Sequence, residues 1–114
     1  MTTASNRQLT LLRKLNRKKH RHRERLFLIE GARSVRQVAD NDTVKIETLF
    51  FDEAQRYWVR DVWKQLINGT EAALLNEGQF AEIADTDHPQ GVLALCRMPD
   101  PQPVEKLEIG RAHV

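Results

Sequence analysis

One cysteine, Cys96, is the whole thiol content of this chain. A lone thiol excludes an intramolecular disulfide framework and any zinc site built on cysteine pairs, and it suits a reducing cytoplasm. No apolar run approaches the ~20 residues that a membrane-spanning helix needs. The cationic start is not followed by an apolar stretch, which argues against a secretory signal. There are no repeats, no G-x-G-x-x-G and no P-loop. No Ser-His-Asp, Cys-His or paired-carboxylate arrangement stands out as catalytic machinery. Negative charge is scarcest where it matters most. The first 25 residues hold one Glu against nine Lys and Arg, a net charge of +8, and no Phe, Tyr or Trp. The remaining 89 residues carry a net charge of −6, so the near-neutral total of +2 hides a polarised molecule.

A long cationic block set against an acidic remainder is the footprint of a nucleic-acid binder. Without aromatic residues it cannot grip single strands by stacking bases. Backbone contact with structured RNA, Arg and Lys on phosphates, fits better. The residues expected to make that contact are Arg13, Lys14, Arg17, Lys18, Lys19, Arg21 and Arg23.

Hydrophobic spacing predicts the elements. Residues 1–5 are small and polar and are expected to fray. Ser5 or Asn6 can cap a first helix, with Leu9, Leu11, Leu12 and Leu15 on one arc and Arg7, Arg13, Lys14, Arg17 and Lys18 on the other. Asn16 is expected to interrupt it and to cap a second short helical turn. Leu26–Ile29, Leu49–Phe51, Ala72–Leu75 and Val92–Cys96 are continuous apolar runs, the pattern of strands covered on both faces. Helical spacing links them. Ala32, Val35, Val38 and Ala39 follow Gly31; Trp58, Val59, Val62, Trp63, Leu66 and Ile67 form an apolar face closed by Asn68-Gly69; and Asn76 with Gln79 reads as a capping box before Phe80 and Ile83. The alternation predicts a small α/β sandwich with a mostly parallel four-stranded sheet.

The other candidate groups read as structural. His20 and His22 lie inside the cationic block, where a metal ion would be repelled, and His88 and His113 have no ligands at metal spacing, so no metal site is expected. Cys96 reads as a small core residue. Glu30-Gly31 reads as a turn whose glycine supplies permissive backbone angles, and Gly91 reads the same way.

Two segments carry a resemblance. Leu26-Phe27-Leu28-Ile29-Glu30-Gly31-Ala32-Arg33-Ser34-Val35 and Asp85-Thr86-Asp87-His88-Pro89-Gln90-Gly91-Val92-Leu93-Ala94-Leu95, in this order after a basic helix, resemble the N-terminal substrate-binding domain of the SpoU/TrmH family of RNA 2′-O-ribose methyltransferases. Ser34 stands where an apolar residue is common in that pattern. The resemblance covers about residues 5–99. It implies a fold similar to small RNA-binding ribosomal proteins and a role in engaging RNA, with ribosomal RNA the expected target. It also implies a separate knotted catalytic domain that binds S-adenosylmethionine and dimerises. None of that domain's motifs is present, so no catalytic or cofactor-binding residue is carried over. The chain is expected to be monomeric, inactive alone and without cofactor, S-adenosylmethionine belonging to the full-length family.

The resulting division is a basic helical segment over 1–25 packed on the domain, an RNA-binding α/β core over 26–98, and the start of an interdomain linker over 99–107. Residues 108–114 read as a non-native tail, because one back-translation of them resembles a sequencing adapter; the chain is therefore expected to be truncated before a catalytic domain. A stand-alone ribosomal-type RNA-binding protein is the alternative, and the Pro99-Asp100-Pro101-Gln102-Pro103 exit favours the two-domain reading. A membrane-surface helix is a third reading, but residues 5–18 lack the Trp or Phe that would anchor it.

Overall fold

The computed structural model describes residues 2–40, 44–55, 69–84 and 91–99. In chain order these form β1 (Thr2–Thr3), α1 (Asn6–Lys14), α2 (Lys18–Glu24), β2 (Leu26–Glu30), α3 (Ala32–Ala39), β3 (Lys45–Asp52), a 3-10 turn (Glu53–Gln55), β4 (Glu71–Leu75), α4 (Glu77–Ala84) and β5 (Val92–Arg97). The helix expected around Trp58–Ile67 lies outside the described residues.

The sheet corrects the expected one. It has five strands in the order β1-β4-β3-β5-β2. β4 runs parallel to β1 and β3, whereas β5 runs antiparallel to both β2 and β3. The sheet is therefore mixed and five-stranded, not mostly parallel and four-stranded. Continuous apolar runs show that a strand is covered on both faces but are blind to its direction. The extra strand is the start of the chain. Thr2 pairs with Ala73 and Thr3 with Leu74, and the Ala4 amide donates to the Leu74 carbonyl at 2.8 Å. Pairing along β4 fixes residues expected to fray, and it leaves Ala4 buried.

Strand residues alternate between two apolar layers, as the two-residue repeat of a strand requires. Leu26, Phe50, Ala73, Leu75, Leu93 and Leu95 meet Leu9, Leu12 and Leu15 of the α1 segment and Phe80 and Ile83 of α4. On the other face Leu49, Phe51, Leu74, Val92, Ala94 and Cys96 meet Val35, with Ala32 and Val38 of α3 packed beside them. Both faces being covered explains why the runs are unbroken. The first layer also explains α1. Its leucines recur every three residues, and Leu12 is completely buried.

The helix starts are locally encoded. The Ser5 hydroxyl accepts from the Gln8 amide at 3.1 Å, and the Gln8 side chain accepts from the Ser5 amide at 2.8 Å. Asn76 and Gln79 repeat this reciprocal pair at 2.8 and 3.0 Å. Each box satisfies two amides that a helix start leaves without partners. Asn16, by contrast, does not cap α2; Arg17 holds that position without a side-chain cap. Gly31 and Gly91 take φ of 102° and 87°, which L side chains resist. Their turns are tied to neighbouring strands: the Gly31 amide donates to the Val92 carbonyl at 3.0 Å, and the Gly91 carbonyl accepts from the Asp52 amide at 3.1 Å.

Two outcomes follow from the core. Leu12→Ala should cost about 2–5 kcal/mol in denaturant unfolding, because a buried leucine leaves a cavity; a loss under ~1 kcal/mol would mean that α1 is not anchored there. Cys96 is fully buried, and loss of solvation pushes its thiol up to about 11. The thiolate is the reacting species. A thiol-disulfide reagent at mildly alkaline pH should therefore leave the native protein unlabelled and react with one equivalent after unfolding.

Candidate nucleic-acid interface

The outer face of α1 cannot join the core, because it carries Arg7, Arg13 and Lys14, all exposed. After Leu15 the chain turns tightly. The Asn16 amide donates to the Arg13 carbonyl at 3.4 Å and the Arg17 amide to the Lys14 carbonyl at 3.1 Å. The turn leads into α2, which packs against β2. Arg25, in a left-handed conformation with φ of 59°, ends α2 and sends the chain into β2. Its guanidinium donates to the Pro99 carbonyl, and its own carbonyl accepts from the Met98 amide at 2.8 Å. The basic segment is thus tied to the sheet where it ends, as β1 ties it where it begins.

Between the two helices runs an open groove of about 340 Å³, lined by Thr10, Arg13, Lys14, Arg17 and His20. Among the described residues, no aromatic ring of Phe, Tyr or Trp lines it. Arg13 is held across its rim by Glu82 of α4, with contacts of 3.2 and 3.3 Å between half-exposed side chains. An exposed pair of this kind is worth only about 0–1 kcal/mol, so a stronger anion can displace the carboxylate. Thr10 donates its hydroxyl to the Asn6 carbonyl at 2.9 Å.

His20 is the unusual member. Its Nδ1 is shielded from solvent and has no hydrogen-bond partner, the one such side-chain atom among the described residues. Its imidazole is held below the ordinary histidine range, first by lost solvation and then by the charges of Arg23, Lys19, Arg17 and Lys14. A proton on His20 would add a charge where several already stand.

The seven expected RNA-contacting residues are therefore divided. Arg13, Lys14 and Arg17 share the groove. Lys18, Lys19 and Arg23 are exposed along α2. Arg21 faces elsewhere. It is half-buried, and with Asn16 and Glu30 it lines a separate cavity of about 230 Å³ floored by Leu28, Ile83 and Leu93. Sequence reasoning missed His20, Thr10 and Glu82. Thr10, Arg13, Lys14 and Arg17 recur at three- and four-residue helical spacing, which was readable. The placement of His20 depends on the turn after Leu15, and that of Glu82 on α4 packing across the same layer; neither is a local signal. Among the described residues, no three His, Cys, Asp or Glu side chains cluster as a metal site, and no helix is long and apolar enough to cross a membrane.

Comparison with known proteins matches most of the chain. Residues 6–94 match the MRM3-like substrate-binding domain. The chain is 30% identical over 109 residues to the 23S rRNA (guanosine(2553)-2′-O)-methyltransferase RlmP of Bacillus subtilis, covering 96% of this chain and 40% of that protein. The AdoMet-bound rRNA methyltransferase from Sinorhizobium meliloti superposes with a TM-score of 0.67 and 28% identity, over 94% of this chain and 39% of the other. An RNA 2′-O ribose methyltransferase superposes with a TM-score of 0.68 and 28% identity, over 90% and 38% respectively. The chain thus spans about two fifths of the relatives it matches. With a family model covering both the basic helices and the sheet beneath them, this chain belongs to the MRM3-like substrate-binding domain family, homologous to the SpoU/TrmH rRNA 2′-O-methyltransferases.

Proposed function

We propose that this domain binds the RNA substrate of a cytoplasmic ribosomal-RNA 2′-O-ribose methyltransferase, and that α1 and α2 are the surface that meets the RNA. The observation that carries this reading is the groove, in which three cations and a histidine converge with one acidic partner at the rim. Cations at this density attract phosphate, and released counterions supply much of the affinity. The lack of Phe, Tyr and Trp in this segment favours a folded RNA read by its backbone and shape over a single strand read by stacking. Lys18, Lys19 and Arg23 extend the same field along α2, so a duplex stem has a track as well as a pocket.

Methyl transfer to a ribose needs one 2′-hydroxyl placed accurately, and misplacement by about 1 Å can cost 10²-fold in rate. A domain that fixes the RNA by its phosphates supplies that placement. Among the described residues, neither of the two cavities suits AdoMet. Its sulfonium would face Arg13, Lys14 and Arg17 in the groove, and the second cavity, at about 230 Å³, is smaller than the roughly 300–1,000 Å³ of a typical ligand pocket. No chemical step is assigned to this domain.

The test is fluorescence anisotropy with a ribosomal-RNA hairpin across a salt series. Replacing Lys14, Arg17, Lys18 and Lys19 by Ala should weaken binding roughly tenfold or more at low salt. It should also flatten the salt slope by about 0.7–0.9 log units for each phosphate that is no longer neutralised. Stability should change little, because none of the four side chains is buried. An unchanged affinity and slope would place the RNA surface elsewhere.

The rim carboxylate gives a test in the opposite direction. Glu82→Gln frees Arg13 and removes a negative charge, so RNA affinity should rise roughly two- to fivefold, in line with the ~1 kcal/mol ceiling of an exposed pair. A loss of affinity in the same titration would show that Glu82 orients Arg13 for the RNA instead of competing with it.

A further inference from the structure

His20 lines a groove whose other described polar groups are cations and a hydroxyl, and its shielded Nδ1 has no partner to fix the ring's protonation. What the groove could hold is set by its surroundings. Lys19 and Arg23 on its own helix, Arg17 in the turn and Lys14 on α1 all act on the ring, and Arg13 lines the same groove. The acid at the rim is Glu82 of α4, and it is engaged with Arg13. None of these five cations can accept a hydrogen bond. A groove lined by donors and positive charge selects an anionic acceptor, and a phosphate oxygen is one.

We propose that the groove between α1 and α2 seats a single phosphate group of the RNA backbone, and that His20 takes up a proton and donates to that phosphate when it arrives. This rests on the RNA-binding reading above and adds a specific subsite and a linked proton. In the free protein lost solvation, and then the neighbouring cations, disfavour the imidazolium. A bound phosphate reverses the local field and favours the imidazolium. The bound state thus holds more protons than the free state. Affinity must then rise as pH falls through the bound-state midpoint of His20, and level off below its free-state midpoint. RNA engagement by this surface becomes proton-linked between about pH 5 and 8, the range in which only histidine among the groove's residues titrates.

The experiment uses the 114-residue chain with ¹³C-labelled histidine. The His20 resonance is titrated with pH alone, with millimolar inorganic phosphate, and with a ribosomal-RNA hairpin, and hairpin affinity is measured over the same pH range for the wild type, His20→Asn and His22→Asn. His22 is the control, since it is exposed on the same helix and does not line the groove. The expected result is that the hairpin raises the His20 midpoint. Wild-type affinity should gain up to roughly tenfold on acidification for each unit of that rise. His20→Asn should flatten this pH profile, and His22→Asn should retain it. A matching rise with inorganic phosphate would show that the groove reads the phosphate group itself; a rise with RNA alone would show that the polynucleotide must position it. If the hairpin binds and the His20 midpoint stays put, or if His20→Asn keeps the wild-type profile, the proposal is overturned while RNA binding stands. If the hairpin does not bind at any pH, the RNA-binding reading itself fails. The resonance measurement on wild-type protein decides the matter even if the Asn variant folds poorly.

Discussion

The structure depends on three leucines. Leu9, Leu12 and Leu15 dock the first helix onto the layer of Phe50, Leu93 and Leu95, and that contact turns a strongly cationic segment into a surface. A block of like charges left to itself repels and stays extended. Here apolar burial holds it in one place, and its basic side chains acquire a fixed arrangement. Burying a leucine contributes about 1.5–3 kcal/mol. Three of them outweigh the repulsion among exposed, solvent-screened charges, which for each pair is on the order of tenths of a kcal/mol. The cations can therefore stand side by side without unfolding the helix that carries them.

The same layer decides what the rest of the molecule supplies. α4 packs Phe80 and Ile83 beside the α1 leucines and so brings Glu82 to the rim of the groove. Among the described residues, the opposite face of the sheet, under α3, contributes nothing to the cationic groove. Polarity of function thus follows from polarity of packing. One face of the sheet bears the charged first helix, and the other completes the core. The sheet edge matters too, since pairing of Thr2 and Thr3 with β4 fixes the chain just before α1 begins.

How much of this was legible in the sequence varies with the range of the interaction involved. α1, a cap at Ser5 or Asn6, the Asn76–Gln79 cap and the two-sided strands were all readable, because their signals lie within a few residues of one another. β1 was not, since two threonines have no pattern of their own and become a strand only by pairing with Ala73 and Leu74. The direction of β5 was not readable for the same reason: Val92–Cys96 has the same unbroken apolar character whichever way its neighbours run. The site shows the same division. Composition located the cations but grouped Arg21 with Arg17, although the fold turns them into different cavities.

His20 shows why such a division matters for function. Read locally, a histidine among arginines and lysines is one more polar residue on a solvated face. In the fold its outward neighbours remain hydrated while one ring nitrogen does not. A lysine in its place would add a permanent charge to a crowded groove, and an apolar residue would remove the hydrogen-bonding group. A neutral imidazole avoids both, because its charge follows the field around it. The groove can therefore stay one charge lower while empty than while filled. That difference reduces self-repulsion in the free domain and retains the full cationic set for the moment an anion is present.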